Sequence, residues 1–274
     1  MCKVVVLDWS IFMFRGIFAW RNRKEIPATW YSMNMIISTL QKIGIDKDDL
    51  VIVAGDGRNS WRKDYEQEYK KNRKAFRESF EDVDWNKMYN DYDYLLEKIR
   101  EITNFHVIKI DRLEADDIGA VVSRYYKDKE IILVSYDQDW EQMLQYNNVK
   151  IWSILLKNKK GKGAYKIKPK NFNAYMLLSK KIEKEVSDNL INPILNEKDY
   201  NNRMLCVNLL ELPEFVENQI KEKLDEIKSK EWGDIEQFPF PSIRKKLEHL
   251  YDKDKVITYE ECLVKKTKKK KKRG

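Results

Sequence analysis

Any chemistry in this chain has to run on carboxylates. Its acidic residues gather in short words at Asp8, Asp56, Glu114-Ala-Asp116-Asp117, Asp137-Gln-Asp139 and Glu185 with Asp188. Imidazoles and thiols are scarce, with two histidines (His106 and His249) and three scattered cysteines (Cys2, Cys206 and Cys262). That argues against His-dependent triads, zinc knuckles and a disulfide framework. Carboxylate oxygens without soft donors favour Mg²⁺ or Mn²⁺. One such ion needs roughly two or three carboxylates, and a pair about 3.5–4 Å apart needs around six. Nine candidates are present, so two Mg²⁺ ions are expected, with Mn²⁺ able to substitute. Such a pair clamps a phosphodiester, activating water on one side and stabilising the leaving oxygen on the other. Calcium storage is disfavoured, because no D-x-D-x-D-G loop appears.

The acids fall where strands end. KVVVLD (3–8), DLVIVAGD (49–56) and EIILVSYD (130–137) are apolar runs closing on Asp8, Asp56 and Asp137, and FHVIKI (105–110) is followed closely by Glu114. VKIWSIL (149–155) reads as a fifth strand, and the Gly-Lys loop at 158–163 as a hairpin turn. Helical spacing runs over 29–43, 114–126 and 139–145. Strands alternating with helices predict a doubly wound, mainly parallel α/β sheet, whose ligands bind beyond the carboxyl ends of the strands. Helix capping explains one or two strand-end aspartates. It explains Asp116-Asp117 and Asp137-x-Asp139 less well, since adjacent acids repel unless a cation joins them. Trp140 and Trp152 read as core, and His106, inside a strand, as structural. From 58 to 100 the chain is highly charged, with aromatics, and looks helical and partly buried. After about residue 175 only short helices are predicted.

The chain has 274 residues, 42% hydrophobic and 36% charged, which fits a globular protein with ample core. No apolar run approaches a membrane span, and MCKVVVLDWS reads as a first strand rather than a signal peptide. A cytoplasmic monomer is expected. The net charge is +8, yet the final ten residues, KKTKKKKKRG, hold seven Lys and one Arg, which leaves the body balanced. The basic residues are unevenly spread. Segment 58–77 carries eight basic and three acidic side chains, and 157–170 carries seven Lys, Lys159, Lys160 and Lys162 among them, with no acid. Basic strips beside acidic clusters point to a polyanion held over a metal site. The lysine tail (265–274) is expected to be disordered and to add electrostatic affinity.

The order of these words resembles the 5′ nuclease family of flap endonucleases, bacteriophage 5′→3′ exonucleases and the 5′ nuclease domain of bacterial DNA polymerase I. The resemblance starts with Asp8-Trp-Ser-Ile-Phe-Met-Phe-Arg15, then Gly55-Asp56, Trp61-Arg62 and Glu68-Tyr69-Lys70-Lys71-Asn72-Arg73. It continues through Glu114-Ala-Asp116-Asp117 (E-A-D-D) and Ser135-Tyr-Asp137-Gln-Asp139-Trp (S-x-D-x-D), and ends on Ser187-Asp188-Asn189 (G-D-x-S-D-N). Within the family it is nearest to the ribonuclease H branch of T-even bacteriophages, through Val149-Lys-Ile-Trp152-Ser153 and Asn202-Arg203-Met-Leu. A lone D-x-D is weak; five elements in order over about residues 3–210 are specific.

The resemblance implies a PIN/5′-nuclease-like fold: a catalytic α/β domain (1–178) with a helical arch at about 58–100, a small helical DNA-binding domain (179–264) and the tail. Asp56, Glu114, Asp116 and Asp137 would serve the ion nearer the attacking water. Asp139, Glu185 and Asp188 would serve the second, with Asp8 and Asp117 supporting. Lys70 and Arg73 match the arch pair at the scissile phosphate, Tyr69 the aromatic beside it, and Arg15 and Arg62 look like backbone-positioning arginines. Lys71 replaces a common Gly in the arch word. Lys184 and Glu185 stand where the family has Gly and Asp, and the glycine-rich helix-hairpin-helix that usually follows is not legible in LINPILNEKDYNN. The lysines of 157–170, the C-terminal helices and the tail would then grip the duplex.

The implied activity is Mg²⁺-dependent 5′→3′ hydrolysis of RNA·DNA hybrid and duplex DNA, with flap cutting, for primer removal in lagging-strand replication. Implied partners are a single-stranded-DNA-binding protein and a sliding clamp. Two other readings stay open: a PIN-type endoribonuclease, which would not need the arch, and a non-catalytic structure-specific DNA binder, motivated by Lys184-Glu185.

Overall fold

Residues Val4–Leu7 are entirely apolar and fully buried, because their strand is flanked by strands on both sides and by helices on both faces. The computed structural model describes residues 2–67, 69–70, 72–158, 161–187 and 197–252. β1 (Lys3–Asp8), β2 (Leu50–Gly55), β3 (His106–Lys109), β4 (Glu130–Val134), β5 (Val149–Asn158) and β6 (Gly161–Lys166) form one six-stranded sheet in the order β3-β2-β1-β4-β5-β6. The first five strands pair in parallel and β6 returns antiparallel to β5. The sheet is thus the doubly wound, mainly parallel one expected, closed by the expected hairpin.

Alternation along the strands splits the core in two. Val5 and Leu7 face a cluster with α1 (Trp9–Asn22), α2 (Ala28–Ile43) and α4 (Trp85–Ile102), whereas Val4 and Val6 face one with α5 (Ala115–Tyr125) and the 3₁₀ segment Gln138–Gln145. α1 follows Asp8 without a break, an element the sequence pattern did not announce. Its run WSIFMFRGIFAW is apolar on nearly every side, because it is covered by both α2 and the sheet. Gly16 permits that approach: a Cβ there would lie 2.0 Å from Ser32 Oγ of α2.

Three expectations change. The helix predicted over 139–145 is a 3₁₀ segment, whose three-residue period puts Trp140 and Met143 on one buried face. The charged stretch read as an arch to residue 100 is interrupted: between a short turn at Trp61–Asp64, α3 (Asn72–Glu78) and α4, only the first part stands apart. In α4, Tyr92, Leu95, Leu96 and Ile99 are buried in the central core. Finally, the boundary expected at 178/179 does not coincide with a break in the core. α6 (Ala174–Ser187) and α7 (Glu197–Val207) share a small cluster through Leu178, Ile182 and Val207. α8 (Glu214–Asp225) packs on α5 through Val216, Ile220 and Leu224, while α9 (Pro241–Glu248) packs on α2 through Ile243 and Leu247. These last helices complete the two faces of the sheet rather than enclosing a core of their own.

Candidate functional site

In the order 3-2-1-4-5 the sheet reverses direction between β1 and β4, and a doubly wound sheet opens its ligand crevice there. Asp8 is the last residue of β1, Asp56 directly follows β2 and Asp137 lies three residues past β4. Glu114 precedes α5 as its cap, and Asp116 and Asp117 occupy its first turn. The same edge therefore receives Asp8, Asp56, Glu114, Asp116 and Asp137, with Asp139 two residues further on at the start of the 3₁₀ segment.

Asp8 is 3% exposed. It accepts hydrogen bonds from Ser10 Oγ (2.8 Å) and Ser135 Oγ (3.1 Å), and Ser135 Oγ in turn accepts the Asp137 N–H at 3.0 Å. Burial, then the negative charges of Asp56 and Asp137, push its pKa up to about 7 against the two hydroxyl donors. Asp116 behaves likewise. Burial, then Asp137, and also Glu114 and Asp139, carry its pKa well above the usual carboxylate range, with Lys70 opposing. The Trp140 indole N–H donates to Asp116 Oδ1 at 2.6 Å. That ring lies across α5 because residue 119 is glycine; a Cβ there would meet it at 2.5 Å. Trp140 is core, as expected, yet its nitrogen also fixes a site acid.

Glu114 is buried too, but cations surround it. Lys70 Nζ lies 2.7 Å from Oε1, Arg62 Nη1 3.2 Å from Oε2, and the Tyr69 hydroxyl donates to Oε2 at 3.0 Å. Burial alone would raise its pKa; Lys70 and then Arg62 outweigh that and hold it below its ordinary value. The Tyr69 hydroxyl is pushed well above its own ordinary value by burial and then by Glu114, so it stays a donor. Asp56 accepts the Ala115 N–H at 2.9 Å. The exposed Asp137 accepts the Asp139 N–H at 3.0 Å, and Lys181 Nζ sits on both carboxylate oxygens of Asp139.

One expected role is corrected and another is narrowed. Asp117, expected to support the metal-site acids, is fully buried and turned from the open edge: its oxygens accept Arg62 Nη2 (2.7 Å) and Nη1 (3.0 Å), Trp61 Nε1 (3.1 Å) and the Glu114 N–H (2.9 Å), so any support is indirect. Arg62, expected against a nucleic-acid backbone, is 1% exposed, and its Nε donates to the Cys206 carbonyl at 2.7 Å. Its donors are turned inward, where it braces Glu114 and Asp117. On the open side, the half-buried Arg15 and exposed Arg73 act on the Tyr136 phenol, which also feels Asp8 and Asp137. Tyr136 is 41% exposed at the mouth of the site and was not singled out from the sequence. Nor was Lys181, although its place among Ala174 and Leu178 on an apolar helical stripe marks it as unusual. Lys71, Lys159, Lys160 and Asp188 lie outside the described residues. For Glu185 and Lys162 only the backbone is described, in α6 and β6.

Among the described residues no three acids enclose an ion by themselves; Lys70, Arg62 and Lys181 engage carboxylate oxygens. Among the described residues the ligand atoms at this edge are oxygens, carboxylates foremost, with no imidazole or thiolate beside them, a set that fits Mg²⁺ or Mn²⁺.

A family model described as "5'-3' exonuclease, N-terminal resolvase-like domain" matches residues 3–176. The chain belongs to this exonuclease family. Ribonuclease H of Enterobacteria phage T4 is 33% identical over 99 residues, a match spanning 35% of this chain and 32% of that protein, about a third of its length. Among solved structures, bacteriophage T5 5′-exonuclease with bound zinc superposes with a TM-score of 0.50 at 18% identity, covering 82% of this chain and 99% of that one. A T5 flap endonuclease variant, in a pseudo-enzyme-product complex with DNA and metal ions, gives 0.53 at 16%, covering 82% and 98%. At these identities the likeness to the T5 structures is one of fold. No helix among the described residues is long and apolar enough to cross a membrane.

Proposed function

We propose that this member of the exonuclease family is a Mg²⁺-dependent 5′→3′ nuclease of RNA·DNA hybrid and duplex DNA, able to cut 5′ flaps and serving primer removal in lagging-strand replication. The observation that carries the reading is the edge at the β1/β4 switch point, where Asp8, Asp56, Glu114, Asp116, Asp137 and Asp139 meet beside Lys70, Arg73 and Arg15. Bound Mg²⁺ would supply a water of lowered pKa and charge to stabilise the leaving oxygen. Asp8, Asp56, Glu114, Asp116 and Asp137 would hold one ion and Asp139, Glu185 and Asp188 a second. Ser10 and Ser135 orient Asp8, and Trp140 orients Asp116. Lys70 binds Glu114 in the free protein with its own backbone at φ +58, from where its ammonium can turn to the scissile phosphate. Arg73 and Arg15 would hold neighbouring phosphates, with Tyr69 beside the terminal base. The basic hairpin and the C-terminal lysines would extend the contact along the duplex, with the salt dependence that phosphate binding carries. A single-stranded-DNA-binding protein and a sliding clamp are the partners in keeping with this role.

The test is one gel. The protein is incubated with 5′-labelled RNA·DNA, nicked duplex and 5′-flap substrates, with Mg²⁺ or EDTA, beside Asp137→Asn. Short labelled products that need Mg²⁺ and vanish in the variant are expected. Intact substrates throughout, with binding retained, would make the chain a structure-specific binder instead.

A further inference from the structure

Helix α6 is seated by Leu178 and Ile182, which are buried against Val207. Lys181 lies three residues past Leu178 and beside Ile182, so seating the helix carries its ammonium against the segment Gln138–Gln145. There it contacts both oxygens of Asp139. The pair is largely shielded, with 25% and 20% of the two side chains exposed. The neighbouring Lys180 points to solvent. The two sides of the site therefore carry different counter-charges. At Asp8 and Asp116, hydroxyl and indole donors touch the carboxylates, whereas at Asp139 a tethered ammonium contacts both oxygens.

We propose that Lys181 is an internal competitor for the divalent ion at Asp139: it occupies that carboxylate until an ion displaces it, making this half of the site the weaker one. The proposal rests on the metal-dependent nuclease reading. The donors on Asp8 and Asp116 are neutral hydroxyl and indole groups, but the Lys181 ammonium is a tethered positive charge that opposes the incoming ion. Occupancy at Asp139 then tracks the free Mg²⁺ concentration, while the Asp8–Asp116 side fills first.

Mn²⁺ is the probe, with free aqueous ion read by electron paramagnetic resonance during titration of the full chain. Four proteins are compared: wild type, Lys181→Met, Lys181→Arg and, as an equal change of charge on the same helix, Lys180→Met. In Lys181→Met the weaker binding step should tighten on the order of tenfold, or appear where wild type shows a single step. Lys180→Met should shift either step less than about twofold, as an exposed charge screened by salt does. Lys181→Arg, which keeps the ion pair, should stay weak. Cleavage by Lys181→Met should also saturate at lower Mg²⁺. A weak step unmoved in Lys181→Met, or moved equally in Lys180→Met, overturns the proposal while leaving the nuclease reading in place. Wild type that neither binds Mn²⁺ nor cleaves with Mg²⁺ overturns both.

Discussion

Glu114 and Asp116 stand two residues apart at the start of α5 and titrate in opposite directions. Both are removed from water, so burial alone would raise both. The difference lies in direction. On a helix, positions three apart share a face and positions two apart do not. Glu114 and Asp117 therefore turn together toward Arg62, and Glu114 gains Lys70 as well. Asp116 turns the other way, toward Asp137, Asp139 and an indole N–H. One side of the turn is neutralised by the protein's own cations. On the other, burial and the neighbouring acids raise the Asp116 carboxyl above its ordinary value, where a divalent charge would relieve it.

This contrast can be broken from either side. The largest effect is expected from Asp116→Asn, which keeps the Trp140 hydrogen bond but removes a donor of the ion. Cleavage should fall on the order of 10³-fold with folding intact, and wild-type turnover would remove Asp116 from the chemistry. Arg62→Ala attacks the other side: it strands buried Asp117 and Glu114 without their guanidinium and should destabilise by about 3–5 kcal/mol in urea unfolding. A loss within about 0.5 kcal/mol would mean that Arg62 is not a structural brace. Gly119→Ala drives a methyl group into the Trp140 ring and should cost about 1–3 kcal/mol, with slower cleavage as the indole leaves Asp116. A cavity-neutral result with full activity would separate Trp140 from the site. Tyr69→Phe is the mildest, removing one hydrogen bond to Glu114 at a cost of about 1 kcal/mol, visible as a small upward drift in the Glu114 pKa by carboxyl NMR.

The pH dependence sharpens the same contrast. Asp8 titrates near 3.8 when unfolded and at about 7 when folded, so between those values the folded, metal-free protein binds more protons than the unfolded chain. Its contribution to stability is present below the unfolded value and lost as pH rises toward 7. Glu114, lowered on folding, contributes the reverse: stability present above its unfolded value and lost as pH falls. Urea midpoints of Asp8→Asn should decline less than those of wild type between pH 5 and 8; parallel curves would contradict the Asp8 assignment.

Much of this was legible in the sequence. β-branched runs closing on aspartate marked β1, β2 and β4, and the topology that follows from strand–helix alternation carries those acids to one edge. What the sequence hid were rotations and enclosures. Asp116 and Asp117 are adjacent letters of one word, and only the about 100° step of a helix sends one to the open site and the other to Arg62. Arg62 lies in a basic strip that reads as surface, and its burial depends on Cys206 and Asp117, 144 and 55 residues away. α1 is apolar on nearly every side because it packs against both α2 and the sheet, and the amphipathic α8 and α9 read as a separate domain in the sequence because the sheet faces they cover lie far away along the chain.

The most direct test of the central contrast is the number of protons released when the ion binds. Calorimetric Mn²⁺ titrations at pH 6 in two buffers of different ionisation enthalpy give that number. About one proton should leave per protein as Asp8 ionises, with any further release coming from Asp116, whose pKa is also raised; release should fall in Asp8→Asn and be unchanged in Glu114→Gln. Binding without proton release, or release that disappears in Glu114→Gln, would contradict the account.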